Sequence, residues 1–446
     1  MRPWIYRTAA LLAFLIAQLL VLVVPLEFKE PDDWGFQYAV GNYAQGRLTL
    51  TDEQYVQQSQ EAWSEGGALL SYAKIREDRW VFTPSPGHVL FLVPFERIGA
   101  TQFGATLLSL GLVAILYLLL TRISGEKTAL LGVVLLIFSP LYLAMWQRVY
   151  VDALAALAFC GIGGGLYVYY WLSRPHLSTR MGAAILFAAG LLLMASVGVR
   201  SSNIAIVAVF GAHFLIMAVR SHLRRENYLL TALVFGAGVA LPLAGLLIYQ
   251  GAVFGSPFST GNSFAQLPTR FAWSYDLGIG FSIVRDNVTQ LWAPLIMALP
   301  ILMVAAPAFV AVAYGKGFFS CRPDTWPELP AHIYHILWAW VVAVFGVYMA
   351  YEWTSFQAGA QLPFQILTRY YLPALLPMVI VVALVLRRLS AKLWGSILIA
   401  LTILGIVFFI QVARVQVYFM IRATPPDMSM SASFESAMTL PEGPTL

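Results

Sequence analysis

Apolar runs alternate with short polar breaks along the chain. Many runs are near 20 residues, the length an α-helix needs to cross the hydrocarbon core of a bilayer. The first covers residues 8–25. A polar segment from Glu27 to about Pro86 follows it. Residues 89–95 are apolar but too short to span, and suit the membrane interface. Further runs cover 102–121, 128–147, 151–172, 181–199, 203–219, 228–249, 291–314, 333–351, 371–386 and 393–412. The pattern predicts an all-α, polytopic integral membrane protein with about eleven transmembrane helices. Its long first loop, residues 26–100, carries interfacial helices. Residues 1–386 form one transmembrane module that includes this loop, and 387–446 hold the last helix and a polar, Pro-, Ser- and Met-containing tail.

Composition agrees: 59% of 446 residues are hydrophobic and only 11% charged, about half the usual charged share or less. A soluble chain of this length would divide into domains and carry more charge. The first run has a second reading, a cleaved signal peptide, but no small-x-small site follows it; a retained span is expected.

Basic residues orient the helices. Arg2 and Arg7 share a side with Arg122/Lys127, Arg174/Arg180, Arg220/Arg224/Arg225, Lys316/Arg322 and Arg387/Arg388/Lys392. The opposite short connections hold Arg148 and Arg200. The positive-inside rule puts the first set, and the N-terminus, in the cytoplasm. The loop 26–100 and the connections near 148–152, 199–203, 250–290 and 352–370 then face away from it. Of 22 acidic residues, only Glu126, Glu226, Asp324 and Glu328 fall on the cytoplasmic side, so the polar chemistry is concentrated outside. The net charge of +5 comes from scattered short loops and argues orientation in a membrane, not nucleic-acid binding.

Several functions lose support. Cys160 lies in an apolar run and Cys321 in a polar loop, which argues against a disulfide or a cysteine metal site. No phosphate-cradling Gly-rich loop, dinucleotide fingerprint or His-Glu-x-x-His motif occurs. Gly161-Ile162-Gly163-Gly164-Gly165 sits within a span and reads as a close-packing helix face. An activated substrate therefore has to come from the lipid or the outer compartment.

Candidate chemistry gathers at the outer edge. Asp32 and Asp33 follow the first span; two like charges at this spacing raise one pKa unless a cation is near. Such a carboxylate suits a general base, and equally a solvated cap on a following helix. Asp152 opens the fourth span, where an acid is either a cap or a functional group, and Arg148 one turn away could simply pair with it. Arg200 lies in a tight turn and Arg369 where the tenth span begins; a guanidinium fork fits a phosphate, or snorkels to headgroups. His88 ends the turn Thr83-Pro84-Ser85-Pro86-Gly87-His88. Gly255 and Pro257 shape a turn with aromatic anchors, Gly255 being able to take positive φ. Asn287-Val288-Thr289 fits a short, common glycosylation sequon.

Together these motifs resemble one family: the GT-C superfamily of membrane glycosyltransferases, near the dolichyl-phosphate-mannose–protein mannosyltransferases and their prokaryotic relatives. The matching residues are Asp32-Asp33 with Tyr38 and Gly46, Pro84-Ser85-Pro86-Gly87-His88, Val149-Tyr150-Val151-Asp152 and Val199-Arg200-Ser201-Ser202-Asn203. Tyr249 with Phe254-Gly255-Ser256-Pro257-Phe258, and the stretch from Arg369-Tyr370-Tyr371 to Pro377, complete the set. The resemblance covers roughly residues 1–380. Asp-Asp stands where Asp-Glu is common, Tyr249-Gln250 where an aromatic-Asn pair is frequent, and no large soluble domain is seen after the last span.

The resemblance implies a polyprenyl-phosphate sugar donor and a lipid, glycan or protein acceptor. Asp32, or less favourably Asp33, would be the base; Arg200 and Arg369 would hold the donor phosphate; Asp152 would orient the acceptor or help bind a cation. Tyr38, His88, Tyr249 and Tyr370 would line the substrates. The sequence identifies no cofactor with certainty; Asp32, Asp33 and Asp152 would suffice to hold a divalent cation only if they converge. Two rivals remain: a transporter or flippase of lipid-linked saccharide, which favours charges at mid-membrane, and a polysaccharide polymerase or ligase, which would carry its large loop late in the chain.

Overall fold

The computed structural model describes residues 3–24, 31–65, 69, 71–76, 78–223, 229–261, 271–315, 329–351, 368–388, 396, 399–400 and 402–407. Helix α1 (Pro3–Val23) is followed by α2 (Pro31–Ala44), β1 (Thr49–Leu50), α3 (Asp52–Ser64), β2 (Tyr72–Arg76), β3 (Arg79–Phe82) and α4 (Gly87–Glu96). The membrane helices that follow are α5 (Thr101–Ser124), α6 (Glu126–Ile137), α7 (Pro140–Gln147), α8 (Ala153–Ser173), α9 (Thr179–Val199), α10 (Ile204–Leu223) and α11 (Leu229–Phe254). Last come α12 (Leu277–Ala298), α13 (Leu302–Gly315), α14 (Ala331–Met349) and α15 (Leu375–Leu386), the last continuing a 3-10 turn at Arg369–Ala374.

Among the described residues eight helices are long and apolar enough to cross a membrane, or nine if α6 and α7 form one bent span. The chain is thus a multi-pass membrane protein. Two expected spans differ. Residues 128–147 break into α6 and α7, bent by 61°; Pro140 starts α7, where its missing N–H costs nothing but where it cannot continue α6. The expected 291–314 span divides at 299–301 into α12 and α13. Pro300 interrupts it, and α12 begins far earlier because Asp276 caps it, accepting from Gly278 and Ile279 N–H. The expected span at 393–412 lies largely outside the described residues.

Packing centres on α8, which meets α5 and α9, with α9 in turn against α11 and α15 against α6 and α13. The glycine stripe of α8 makes this close: a Cβ at Gly163 would lie 2.7 Å from the Leu193 backbone N on α9.

The first loop is more ordered than a set of interfacial helices. Its strands form a three-stranded antiparallel sheet, order β1-β3-β2, with Thr49 opposite Val81 and Tyr72 opposite Phe82. Short strands of this kind leave little alternation to read. A capping box, Thr51 with Gln54, starts α3. Trp34, Phe36, Tyr43, Leu50, Tyr72 and Phe82 bury a core of its own, against which Val149, Tyr150 and Tyr249 also pack. That contact seats the loop on the ends of α7, α8 and α11.

Candidate functional site

The turn between α7 and α8, residues 148–152, is the hub. Val151 N–H donates to the Arg148 carbonyl at 3.1 Å, closing a tight turn that aims Arg148 and Asp152 at different partners. The Arg148 guanidinium pairs with the Asp33 carboxylate on α2, both side chains being essentially inaccessible at 0% and 3%. Asp152 accepts from Arg200, Nε at 3.0 Å to Oδ2 and Nη2 to Oδ1. The expected Arg148–Asp152 pairing is therefore replaced by two crossed pairs that reach into distant parts of the chain. Asp152 makes no side-chain capping bond, and Asp33 lies in the first turn of α2 with Arg148 as a partner. Asp32 sits one position earlier on α2.

Local sequence explains how Arg200 reaches this point. Helix α9 ends at Val199, and Arg200 is extended (φ −147°, ψ 113°) before the 3-10 turn Ser201–Asn203. Buried Asn203 fixes the turn, its Nδ2 donating to the Ser196 carbonyl at 3.2 Å. Beyond Asp152, the Arg200 guanidinium lies 4.9 Å from the Tyr370 ring centroid, and Arg369 approaches the same ring at 5.3 Å. Tyr348, at the end of α14, stacks obliquely on Tyr370 at 5.2 Å and shares a hydrogen bond with Ser202. Arg200 Nη1 is buried with no hydrogen-bond partner among the described residues.

His88 joins from α4. Its Nε2 lies 2.9 Å from the Val149 carbonyl, and its buried Nδ1 has no partner among the described residues. Burial holds the imidazole below its ordinary pKa, against the opposing pull of Asp152. Gly87 permits this approach: a Cβ there would stand 2.5 Å from the Gly198 carbonyl carbon. The second Pro/Gly loop meets the first, since a Cβ at Gly261 would lie 2.0 Å from the Thr83 carbonyl oxygen. Gly255 takes φ +79°, as its place in the sequence predicts.

Asp33, His88, Asp152, Arg200, Arg369 and Tyr370 are thus linked, directly or through one neighbour. Tyr38 on α2 and Tyr249 on α11 pack against the core of the loop instead. Burial raises the Tyr38 pKa, helped by Glu61 and Glu65. Tyr249 shares a 2.6 Å hydrogen bond with Tyr43, whose hydroxyl burial pushes well above its ordinary pKa. Among the described residues no three His, Cys, Asp or Glu side chains gather as metal ligands. The sequon is structurally occupied: Asn287 is fully buried, its Nδ2 donating to the Met349 and Tyr351 carbonyls. Tyr348 and the Asp33–Arg148 pair escaped sequence reasoning, because nothing local links partners over a hundred residues apart.

Buried ion pairs are weak sources of stability, since desolvation offsets the Coulomb gain.

No protein-family model and no curated protein matches the sequence. Solved structures do match in fold. The crystal structure of ArnT from Cupriavidus metallidurans bound to undecaprenyl phosphate matches with TM-score 0.52 and 13% identity, over 88% of this chain and 61% of that one. Its apo state gives 0.50 and 14%, over 88% and 60%. The apo Archaeoglobus fulgidus oligosaccharyltransferase gives 0.56 and 12%, over 96% and 59%. The chain spans about three fifths of the length of these structures. The chain shares the fold of these structures.

Proposed function

We propose that the chain transfers a monosaccharide from a polyprenyl-phosphate-linked donor to an acceptor hydroxyl, on the membrane face turned away from the cytoplasm. The observation that carries this reading is the grouping of Arg200 and Arg369 about Tyr370, with Asp152 holding Arg200. A fixed guanidinium with a buried, unpartnered Nη1 is suited to a phosphate oxygen, and binding there would satisfy it. The fold shared with a structure that holds undecaprenyl phosphate supports the same donor class.

In this scheme the acceptor oxygen attacks the anomeric carbon. The bond from that carbon to the polyprenyl phosphate breaks, its electron pair stays on the phosphate oxygen, and the configuration inverts. Arg200 and Arg369 stabilise the charge that develops there. The acceptor proton passes to a carboxylate, a contribution of about 10²–10⁴-fold. We assign that role to Asp32. Asp33 is committed to Arg148, so its task is to hold the hub turn, and Asp152 positions Arg200. His88 braces the same turn through the Val149 carbonyl.

Asp32→Asn and Asp33→Asn, made separately and assayed with a lipid-phosphate sugar donor, test the assignment. Loss of transfer in a folded Asp32→Asn protein is expected; transfer that survives both changes ends the carboxylate-base reading. A transporter is disfavoured by the position of the charged groups, which lie at helix ends and turns rather than along the middle of spans.

A further inference from the structure

A second polar cluster lies at the other end of the bundle. His213 on α10 and His332 on α14 stack with centroids 5.6 Å apart and planes 18° from parallel. Trp171 walls both rings edge-on, at 5.7 Å and 6.3 Å, and Arg174 lies over Trp171 at 5.6 Å. Counting 1.5 Å per residue along α14 from His332 to Tyr348 puts this cluster roughly 24 Å from the Arg200 group.

His213 is 9% exposed, and its Nδ1 is 2.8 Å from the Tyr167 hydroxyl. The other ring nitrogen, Nε2, is buried with no hydrogen-bond partner among the described residues, and so is Nε2 of His332. Buried polar atoms left in this way call for an occupant. Charge selects its sign. Arg220 and His335 act electrostatically on both rings, and each of those groups is basic. A metal cation would be brought beside a guanidinium, with no third ligand among the described residues. An anion would meet imidazole N–H donors and the Arg220 charge together. Leu215, Ile216 and Val219 on the same stretch of α10 are exposed, as lipid-facing side chains are, so the cluster adjoins the bilayer.

We infer that His213, His332 and Arg220 form a binding site for a phosphate anion, supplied by the headgroup of an anionic phospholipid, at the end of the bundle remote from the proposed transfer site. The site shares no residue with that reaction, and its test does not depend on transfer.

The test uses the full chain in detergent micelles and reads its thermal midpoint with phosphatidylglycerol, phosphatidylcholine, inorganic phosphate or zinc added. Phosphatidylglycerol should raise the midpoint and phosphatidylcholine should not. His332→Gln and the exposed Arg220→Gln should each weaken phosphatidylglycerol binding about tenfold, the effect of losing one charge-assisted hydrogen bond. Arg180→Gln, at the same end on an exposed position, should leave it unchanged. Stabilisation by inorganic phosphate but not by the lipid keeps the anion site and moves its source to solution. Stabilisation by zinc alone, no response to either phosphate source, or equal lipid binding in Arg220→Gln and the parent chain would overturn the proposal.

Discussion

Asp33→Asn is the most informative perturbation of the hub. Arg148 and Asp33 are 0% and 3% exposed, so the change removes the charge that Asp33 sets against a buried guanidinium. Removing one partner of a buried pair costs about 3–5 kcal/mol, far more than the near-zero median of an exposed pair. The damage should spread, because the same turn offers the Val149 carbonyl to His88 and carries Asp152 to Arg200. Unfolding in detergent can be followed by tryptophan fluorescence, since buried Trp146 lies two residues from Arg148. Asp33→Asn should lower the unfolding midpoint markedly, and Asp33→Leu with Arg148→Met, which removes both charges, should recover most of the loss. Asp32→Asn should lose transfer with a far smaller change in midpoint. A midpoint for Asp33→Asn no lower than that for Asp32→Asn would refute the buried-pair argument, and with it the division of labour between the two acids.

Arg369→Ala should reduce kcat/KM for the lipid-phosphate donor by about 10²-fold, the effect of losing one stabiliser of developing charge, with donor binding assayed on folded protein; unchanged donor binding would remove Arg369 from the site. Gly87→Ala should destabilise by about 1–3 kcal/mol, because its Cβ would press on the Gly198 backbone at 2.5 Å; chemical denaturation reads the shift. His88 adds a pH dependence whose sign follows from burial. Its folded pKa lies below the ordinary 6.5, so the unfolded chain binds more protons as the medium is acidified. The contribution is complete above about pH 6.5 and is lost as pH falls from there through the folded value. Thermal midpoints of the parent and His88→Gln should therefore converge on acidification through that window, and parallel pH profiles would show that His88 does not titrate as described.

Much of the fold was legible in the chain because membrane helices declare themselves by length and composition. Seven of the expected runs recur as single helices: α5, α8, α9, α10, α11 and α14 start within two residues of the expected place, and α1 starts five residues early. The breaks at Pro140 and Pro300 were harder to read, since a bent or interrupted helix keeps the hydropathy of a straight one. The small sheet of the first loop was missed for a related reason: β1 has two residues and β3 four, too few for a period of two to stand out.

The candidate site divides in the same way. Sequence by itself determined which side of the bundle holds the acids and arginines as an expectation, because basic residues bias loop orientation and polar residues cluster where the chain leaves the apolar phase. It also determined the residue types available: two adjacent aspartates, a third at a helix start, and arginines in two turns. Only the tertiary structure decided who pairs with whom. Asp33 meets Arg148 across 115 residues, and Asp152 meets Arg200 across 48. Such pairing depends on helix packing and on the turn at 148–152, and hydropathy carries no record of either. The physical reason is that burial, a property of the whole fold, sets the strength of each charge interaction, whereas the sequence lists only the charges.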